Sequence, residues 1–363
     1  MKNLVNKKIR KREAINREWY SSRSILGNDW AIFFLLLGGR EIGKSYDVMK
    51  LFLNQHKRYK RPFYWLRLTE ESQRKLLMNN AEKLIDPDLR RKYKLDIVTN
   101  GSNVYNVIER SEPDEKGKTK IIKKELLARV LALSTFYNDK GSGLFDNEFL
   151  NNPLMYYNIC FDEMNREKNE RKSFDIVYAF TNQLENLVRS TKKRIRVICI
   201  GNTLEEASDL LCGFEFIPET FGRFYLRKKR AVVDYIENGE KYMARRKGTI
   251  ADILIPSSST FTNKVTTDTA LIYKRGLENP VAIIKFSKDK SDWFTVWDHS
   301  VIKQWNKEKI NHVIPMLPYL DEIFNVKERN NIFEVFDNRG FKFRNLITFK
   351  LFQKNLELIR PKR

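Results

Sequence analysis

Eight consecutive residues, Gly38-Gly39-Arg40-Glu41-Ile42-Gly43-Lys44-Ser45, match the spacing G-x-x-x-x-G-K-[ST]. Such residue types suit a triphosphate. Glycines let the backbone wrap a phosphate closely with N–H groups pointing inward, and the N-terminus of a following helix adds partial positive charge. Lys44 would set a cation between the β- and γ-phosphates, and the Ser45 hydroxyl would ligate Mg²⁺. A second group, "YYNICFDE", ends an apolar run in Asp162 and Glu163. Asp162 would share the Mg²⁺ shell with Ser45, and Glu163 would orient and deprotonate an attacking water. The chemistry this predicts is hydrolysis of ATP. Asn202 closes the run "IRVICIGN". Its amide could meet the γ-phosphate or the lytic water, or it could cap the following "TLEEASDLL"; both readings stay open. Transition-state charge in ring ATPases is commonly met by a cation from a neighbouring subunit. The candidates are Arg189, Lys192, Lys193, Arg194 and Arg196, with Lys140 in a glycine-containing loop; each also reads as a solvated surface charge.

These groups need a scaffold. "WAIFFLLL" (30–37) reads as a buried parallel strand, and the residues after Lys44 carry helical spacing. Further strands are predicted at 63–68, 128–134, 155–161 and 195–200, with a hairpin over 95–108 turning at Asn100-Gly101. Helices are predicted from Thr69 to about Leu84, ended by Asp86-Pro87-Asp88, and over 174–189. Strands alternating with helices indicate an α/β fold with a mainly parallel sheet flanked by helices. The strand "ARVLALS", lying in sequence between the loop strand and the Asp-Glu strand, suggests the ASCE branch of P-loop ATPases. Residues 1–222 form the predicted ATPase domain, with 1–29 as an N-terminal extension. Residues 223–265, basic and then serine-rich, read as a linker. Residues 266–363 read as a smaller α/β domain with strands "TALIYK", "VAIIKF" and "WFTVW".

The 363 residues suffice for two domains, and 42% hydrophobic content supports a sizeable core. A net charge of +22 favours a polyanionic partner. Three cysteines without a CxxC pair read as buried thiols in a reducing compartment, and three scattered histidines argue against zinc. The basic N-terminus lacks the apolar core of a secretory signal, and no apolar run reaches membrane-spanning length.

Taken together, "GGREIGKSYDVMK", "NICFDEMNREKN" and "KKRIRVICIGN" resemble the DNA-packaging (encapsidation) ATPases of phi29-type short-tailed phages, across about residues 30–215. The resemblance implies an N-terminal ASCE ATPase domain, a linker, and a C-terminal RNase H-like domain without nuclease residues. It implies a homomeric ring, typically of five subunits, that drives double-stranded DNA into a preformed capsid. That ring would work in the host cytoplasm, docked at the portal directly or through a structural RNA. By the same resemblance Gly38 to Ser45 bind phosphate, Asp162 binds Mg²⁺ and Glu163 is catalytic. Arg189 and Lys140 become trans-acting cations, and Arg67, closing the second strand, and Arg40, inside the loop, match family arginines. An active RNase H-like nuclease needs converging carboxylates, whereas "VAIIKF" carries Lys285 and Asp298 has no evident partner acid. The alternative reading is another ASCE nucleic-acid motor, such as a helicase or a terminase-like ATPase.

Overall fold

A computed structural model describes residues 18–113, 119–139, 156–165, 174–188, 194–202, 208–218, 220–254, 271–273, 275–318, 320 and 324–360. The chain divides into two compact units, one of residues 1–204 and 218–265, the other of 205–217 and 266–363.

The first unit is built on a nine-stranded sheet. Its strands are β1 (Phe33–Gly38), β2 (Phe63–Arg67), β3 (Ile97–Asn100), β4 (Asn103–Arg110), β5 (Ile121–Ala132), β6 (Tyr157–Asp162), β7 (Ile195–Asn202), β8 (Gly222–Leu226) and β9 (Ala231–Tyr235). They lie in the order β3-β4-β5-β2-β6-β7-β1-β9-β8. Six of them, from β5 through β9, pair in parallel, and antiparallel strands close both edges. Every residue of β2, β6 and β9 is buried, as strands covered on both faces must be, which is why they read as near-continuous apolar runs.

The strand lying between β1 and the Asp-Glu strand β6 is β7, not the 128–134 run. That run is the second half of β5, beyond β2. An extra strand inserted between the loop strand and the acid strand is the ASCE arrangement, so the class stands while the strand that carries it changes.

Helix α1 (Lys44–Tyr59) follows the loop directly and buries Val48, Met49, Phe52 and Leu53 on the sheet. Phe52 packs on Phe63 and Trp65 of β2, with ring centroids 5.2 and 6.3 Å apart. Thr69 caps α2 (Glu70–Ala81) through a reciprocal bond with Ser72. Asp86 and Pro87 do more than end that helix. Asp86 is the N-cap of α3 (Pro87–Tyr93), with proline in the first turn where no N–H is needed. Helix α4 covers Ile176–Val188.

The predicted linker differs most from the structure. β8 and β9 belong to the sheet, with β9 directly beside β1. Asp234 interrupts the apolar pattern of β9, yet it is 1% exposed. It is satisfied by the Tyr20 hydroxyl at 3.0 Å and by Arg223 at 3.4 Å. The segment from Gly239 onward folds as α5 (Glu240–Arg246) within the same unit. In turn, residues 205–217, expected inside the ATPase domain, group with the second unit. There Lys350 reaches Asp209 at 3.6 Å.

The second unit holds a five-stranded sheet in the order β13-β10-β11-β12-β14. Its strands are β10 (Pro280–Lys285), β11 (Trp293–Trp297), β12 (Val301–Gln304), β13 (Val313–Pro315) and β14 (Lys342–Phe343). An antiparallel meander with a fourth strand parallel to its first agrees with the RNase H-like expectation. β14 lies parallel to β12 on the far edge. Helices α6 (Val326–Asp337) and α7 (Leu346–Ile359) contribute Ile332, Phe352 and Leu356 to the core. Of "TALIYK", only residues 271–273 are described, and Ile272 makes an isolated bridge to Phe343 rather than a strand.

Cys160 and Cys199 are buried and Cys212 is partly so, and none is in a disulfide. Burial raises all three thiols, Cys212 to about 12. The thiolate is the reacting species. The native protein at neutral pH is therefore expected to resist iodoacetamide, and the denatured chain to take up three equivalents by mass spectrometry. Rapid native labelling would contradict the packing around β6 and β7.

Candidate nucleotide-binding site

The carboxyl ends of β1, β6 and β7 converge. Gly38 is in register with Asn202, and Asp162 with Ile200. Open α/β sheets place ligands at such an edge. Here the chain leaves β1, turns through the glycine loop and enters α1. A cleft of about 220 Å³ opens there, lined by residues 41–46 with Asp162, Glu163, Ile200 and Asn202.

Two glycines have a steric reason. A Cβ at Gly38 would sit 2.8 Å from Ile42 Cδ1 and 3.1 Å from Ile236 Cβ. Gly43, the N-cap of α1, has φ of 85°, a left-handed conformation that glycine takes without strain.

Lys44 is buried, and its Nζ donates to the carbonyls of Gly38 at 2.9 Å and Gly39 at 2.6 Å. Burial pulls its pKa down to about 7; Asp162 opposes that shift and the charge of Arg40 adds to it. A cation so desolvated gains from an anion placed beside it.

Ser45 Oγ donates to Asp162 Oδ1 at 3.1 Å. A hydroxyl and a carboxylate side by side are the hard oxygen donors that Mg²⁺ takes alongside waters and phosphate oxygens. Among the described residues no three His, Cys, Asp or Glu side chains cluster as a self-sufficient metal cage. The Ser45–Asp162 pair offers two such donors on the cleft.

Arg67 ties the two acids together. Its Nη1 lies 3.0 Å from Asp162 Oδ2, and its Nη2 pairs with Glu163 Oε2. Glu163 has φ of 54°, which is costly for a non-glycine residue and is held here by this pair and by its own N–H on Asp162 Oδ1 at 3.1 Å. Glu163 lines the cleft beside Asp162.

The structure thus brings together Glu41, Ile42, Gly43, Lys44, Ser45, Asp162, Glu163 and Asn202. Gly38 and Gly39 offer carbonyls to Lys44, and Arg40 is exposed outside the cleft lining. Asn202 accepts through its backbone oxygen from Asn165 Nδ2 at 3.3 Å. The described helix after it, Asp209–Gly213, has Ser208 as its N-cap, not Asn202. Lys140, Arg189, Lys192 and Lys193 lie outside the described residues. Arg196 is buried at the opposite end of β7 from Asn202, 3.8 Å from the centre of the Tyr156 ring.

Sequence reasoning missed the outer support of the loop. Tyr20 N–H, the Tyr242 hydroxyl and the Arg245 guanidinium donate to the carbonyls of Ile42, Arg40 and Glu41. The one available signal was the three-residue spacing of Tyr242 and Arg245 in "KYMARRK", which puts both on one helix face.

The fold and cleft have the ASCE P-loop arrangement, and the chain carries a second, smaller α/β unit. No protein-family model matches the chain. It is similar to the DNA packaging proteins of Bacillus phage PZA and Bacillus phage phi29. Each is 24% identical over 211 residues, covering 57% of this chain and 53% of the relative. The chain therefore spans about half the length of the curated relatives it matches. Among solved structures, the bacteriophage phi29 viral genome packaging motor assembly aligns over 95% of this chain and 100% of its own, with TM-score 0.62 and 19% identity. The phi28 gp11 DNA packaging motor aligns over 95% and 99%, with TM-score 0.60 and 16% identity. Likeness at these identities establishes the fold.

Proposed function

We propose that this chain is an ATP-driven motor that translocates double-stranded viral DNA into a preformed capsid. The observation that carries the ATPase reading is the cleft itself, where the loop, the Ser45–Asp162 pair and Glu163 face one volume. The packaging reading is supported by the relatives, which are DNA packaging proteins.

The loop amides and Lys44 bind the polyphosphate, and Ser45 and Asp162 hold Mg²⁺. Bound Mg²⁺ supplies charge neutralisation on the phosphates. Glu163 takes the proton of the attacking water, while Arg67 fixes the orientation of both acids. Asn202, at the tip of the strand between loop and acids, registers loss of the γ-phosphate, a reading supported by its position in the cleft lining. Arg189 or Lys140 of a neighbouring subunit completes the site in a homomeric ring, a pentamer when assembled at the portal, directly or through a structural RNA. The second unit acts without nuclease chemistry. In support, Lys285 of β10 stacks on Trp293 at 4.2 Å, and the Asp298 carboxylate is engaged by Asn279 at 2.8 Å.

Grip on DNA rests on phosphate contacts, because a motor must ignore sequence. The test is the ATPase rate with and without double-stranded DNA across salt. DNA is expected to stimulate turnover, and the stimulation to fall steeply between 50 and 200 mM salt, about 10³-fold in DNA affinity for some six phosphate contacts. Stimulation that ignores salt would overturn the electrostatic grip. Absence of turnover with capsids and DNA supplied would overturn the motor.

A further inference from the structure

Three consecutive carbonyls of the phosphate loop are held from outside the cleft. The Tyr242 hydroxyl donates to Arg40 O at 2.6 Å, Arg245 Nη2 to Glu41 O at 2.7 Å, and Tyr20 N–H to Ile42 O at 2.8 Å. None of these donors lines the cleft. In a planar trans peptide, the C=O of one residue and the N–H of the next point in opposite directions. Tying carbonyls 40, 41 and 42 outward therefore turns the N–H groups of Glu41, Ile42 and Gly43 toward the cleft, where phosphate oxygens need donors.

The donors are themselves fixed. Arg246 Nη1 donates to the Tyr242 oxygen at 2.6 Å. Arginine has no acceptor, so the tyrosine proton is left for the Arg40 carbonyl. Arg245 stacks on Trp19 with its Cζ 3.7 Å from the ring centroid, and that ring packs against Gly43. Glu41 has φ of 63°, a strained conformation for a non-glycine residue, and its carbonyl is the one Arg245 holds.

We propose that Tyr242 and Arg245 are positioning residues for the nucleotide's phosphates: they pre-set the peptide planes of residues 40–42 so that the loop amides meet a polyphosphate without rearranging. This rests on the ATP-binding reading above. Such donors act alike on bound nucleotide and on the transition state, so their loss raises KM and leaves kcat nearly unchanged. Inorganic tripolyphosphate meets the same amides and reports the cradle without the base.

The experiment uses the full chain as Tyr242→Phe, Arg245→Met, the double variant and Arg245→Lys. In the double variant, KM for ATP and the inhibition constant of tripolyphosphate are each expected to rise about tenfold, roughly the worth of the lost hydrogen bonds. kcat is expected to stay within about twofold, with most of the Arg245→Met loss recovered in Arg245→Lys. Wild-type KM and tripolyphosphate inhibition in the double variant would overturn the proposal. So would a fall in Tm with kcat and KM damaged together, the mark of a merely structural contact. If the wild-type protein binds neither ATP nor tripolyphosphate, the ATPase reading itself fails, which the variants alone would not produce.

Discussion

Glu163→Gln is expected to bind ATP as tightly as the wild-type protein and to hydrolyse it about 10²–10⁴-fold more slowly, the range over which a positioned general base acts. The substitution keeps shape and removes the charge that accepts a proton. It leaves the other contacts of the cleft in place. Lys44 still spans the carbonyls of Gly38 and Gly39, Ser45 still meets Asp162, and Arg67 keeps its 3.0 Å pair with Asp162. Binding of a fluorescent ATP analogue and the rate of phosphate release separate the two effects. Normal turnover would remove Glu163 from its role and send the search to another base in the cleft.

Lys44→Ala is expected to act earlier, on binding. A charge-assisted hydrogen bond contributes about 1.5–3 kcal/mol, so losing one or two to phosphate lowers ATP affinity by roughly 10–10⁴-fold. The fold should not suffer. In the nucleotide-free protein this ammonium is desolvated and its charged form is disfavoured by burial. The carbonyls it leaves belong to buried Gly38 and Gly39, and the space it vacates opens onto the cleft it lines, where water can replace it. Tm without nucleotide is thus expected to hold or rise, and stabilisation by added ATP to vanish. A variant that loses Tm but keeps ATP affinity would show that the lysine braces the loop instead of binding phosphate.

The parallel centre of the sheet was legible because its strands are buried on both faces and leave unbroken apolar runs. β1, β2, β6 and β7 begin and end within a few residues of their predicted bounds. The loop and the acid pair followed, since local spacing specifies them. β9 escaped because the basic residues flanking it made 223–265 read as a linker, whereas the structure puts it in the sheet and buries its Asp234 against Arg223 and Tyr20. The first half of β5, "IIKKE", escaped for the opposite reason. It is exposed on an antiparallel ribbon with β4, so no apolar run marks it. Tyr242 and Arg245 act through partners about 200 positions earlier, a distance over which spacing carries no signal.

The placing of β1 between β7 and β9 has a consequence for biogenesis. Phe33 to Leu37 leave the ribosome early, while the flanking strands begin at Ile195 and Ala231. At about 5–20 residues per second, β1 waits on the order of 10–30 s for its first neighbour. During that time a greasy ribbon with two bare hydrogen-bonding edges is open to self-association. The strand that launches the nucleotide cradle is therefore among the last in its sheet to be enclosed, and its two edges stay unpaired until first β7 and then β9 have been made.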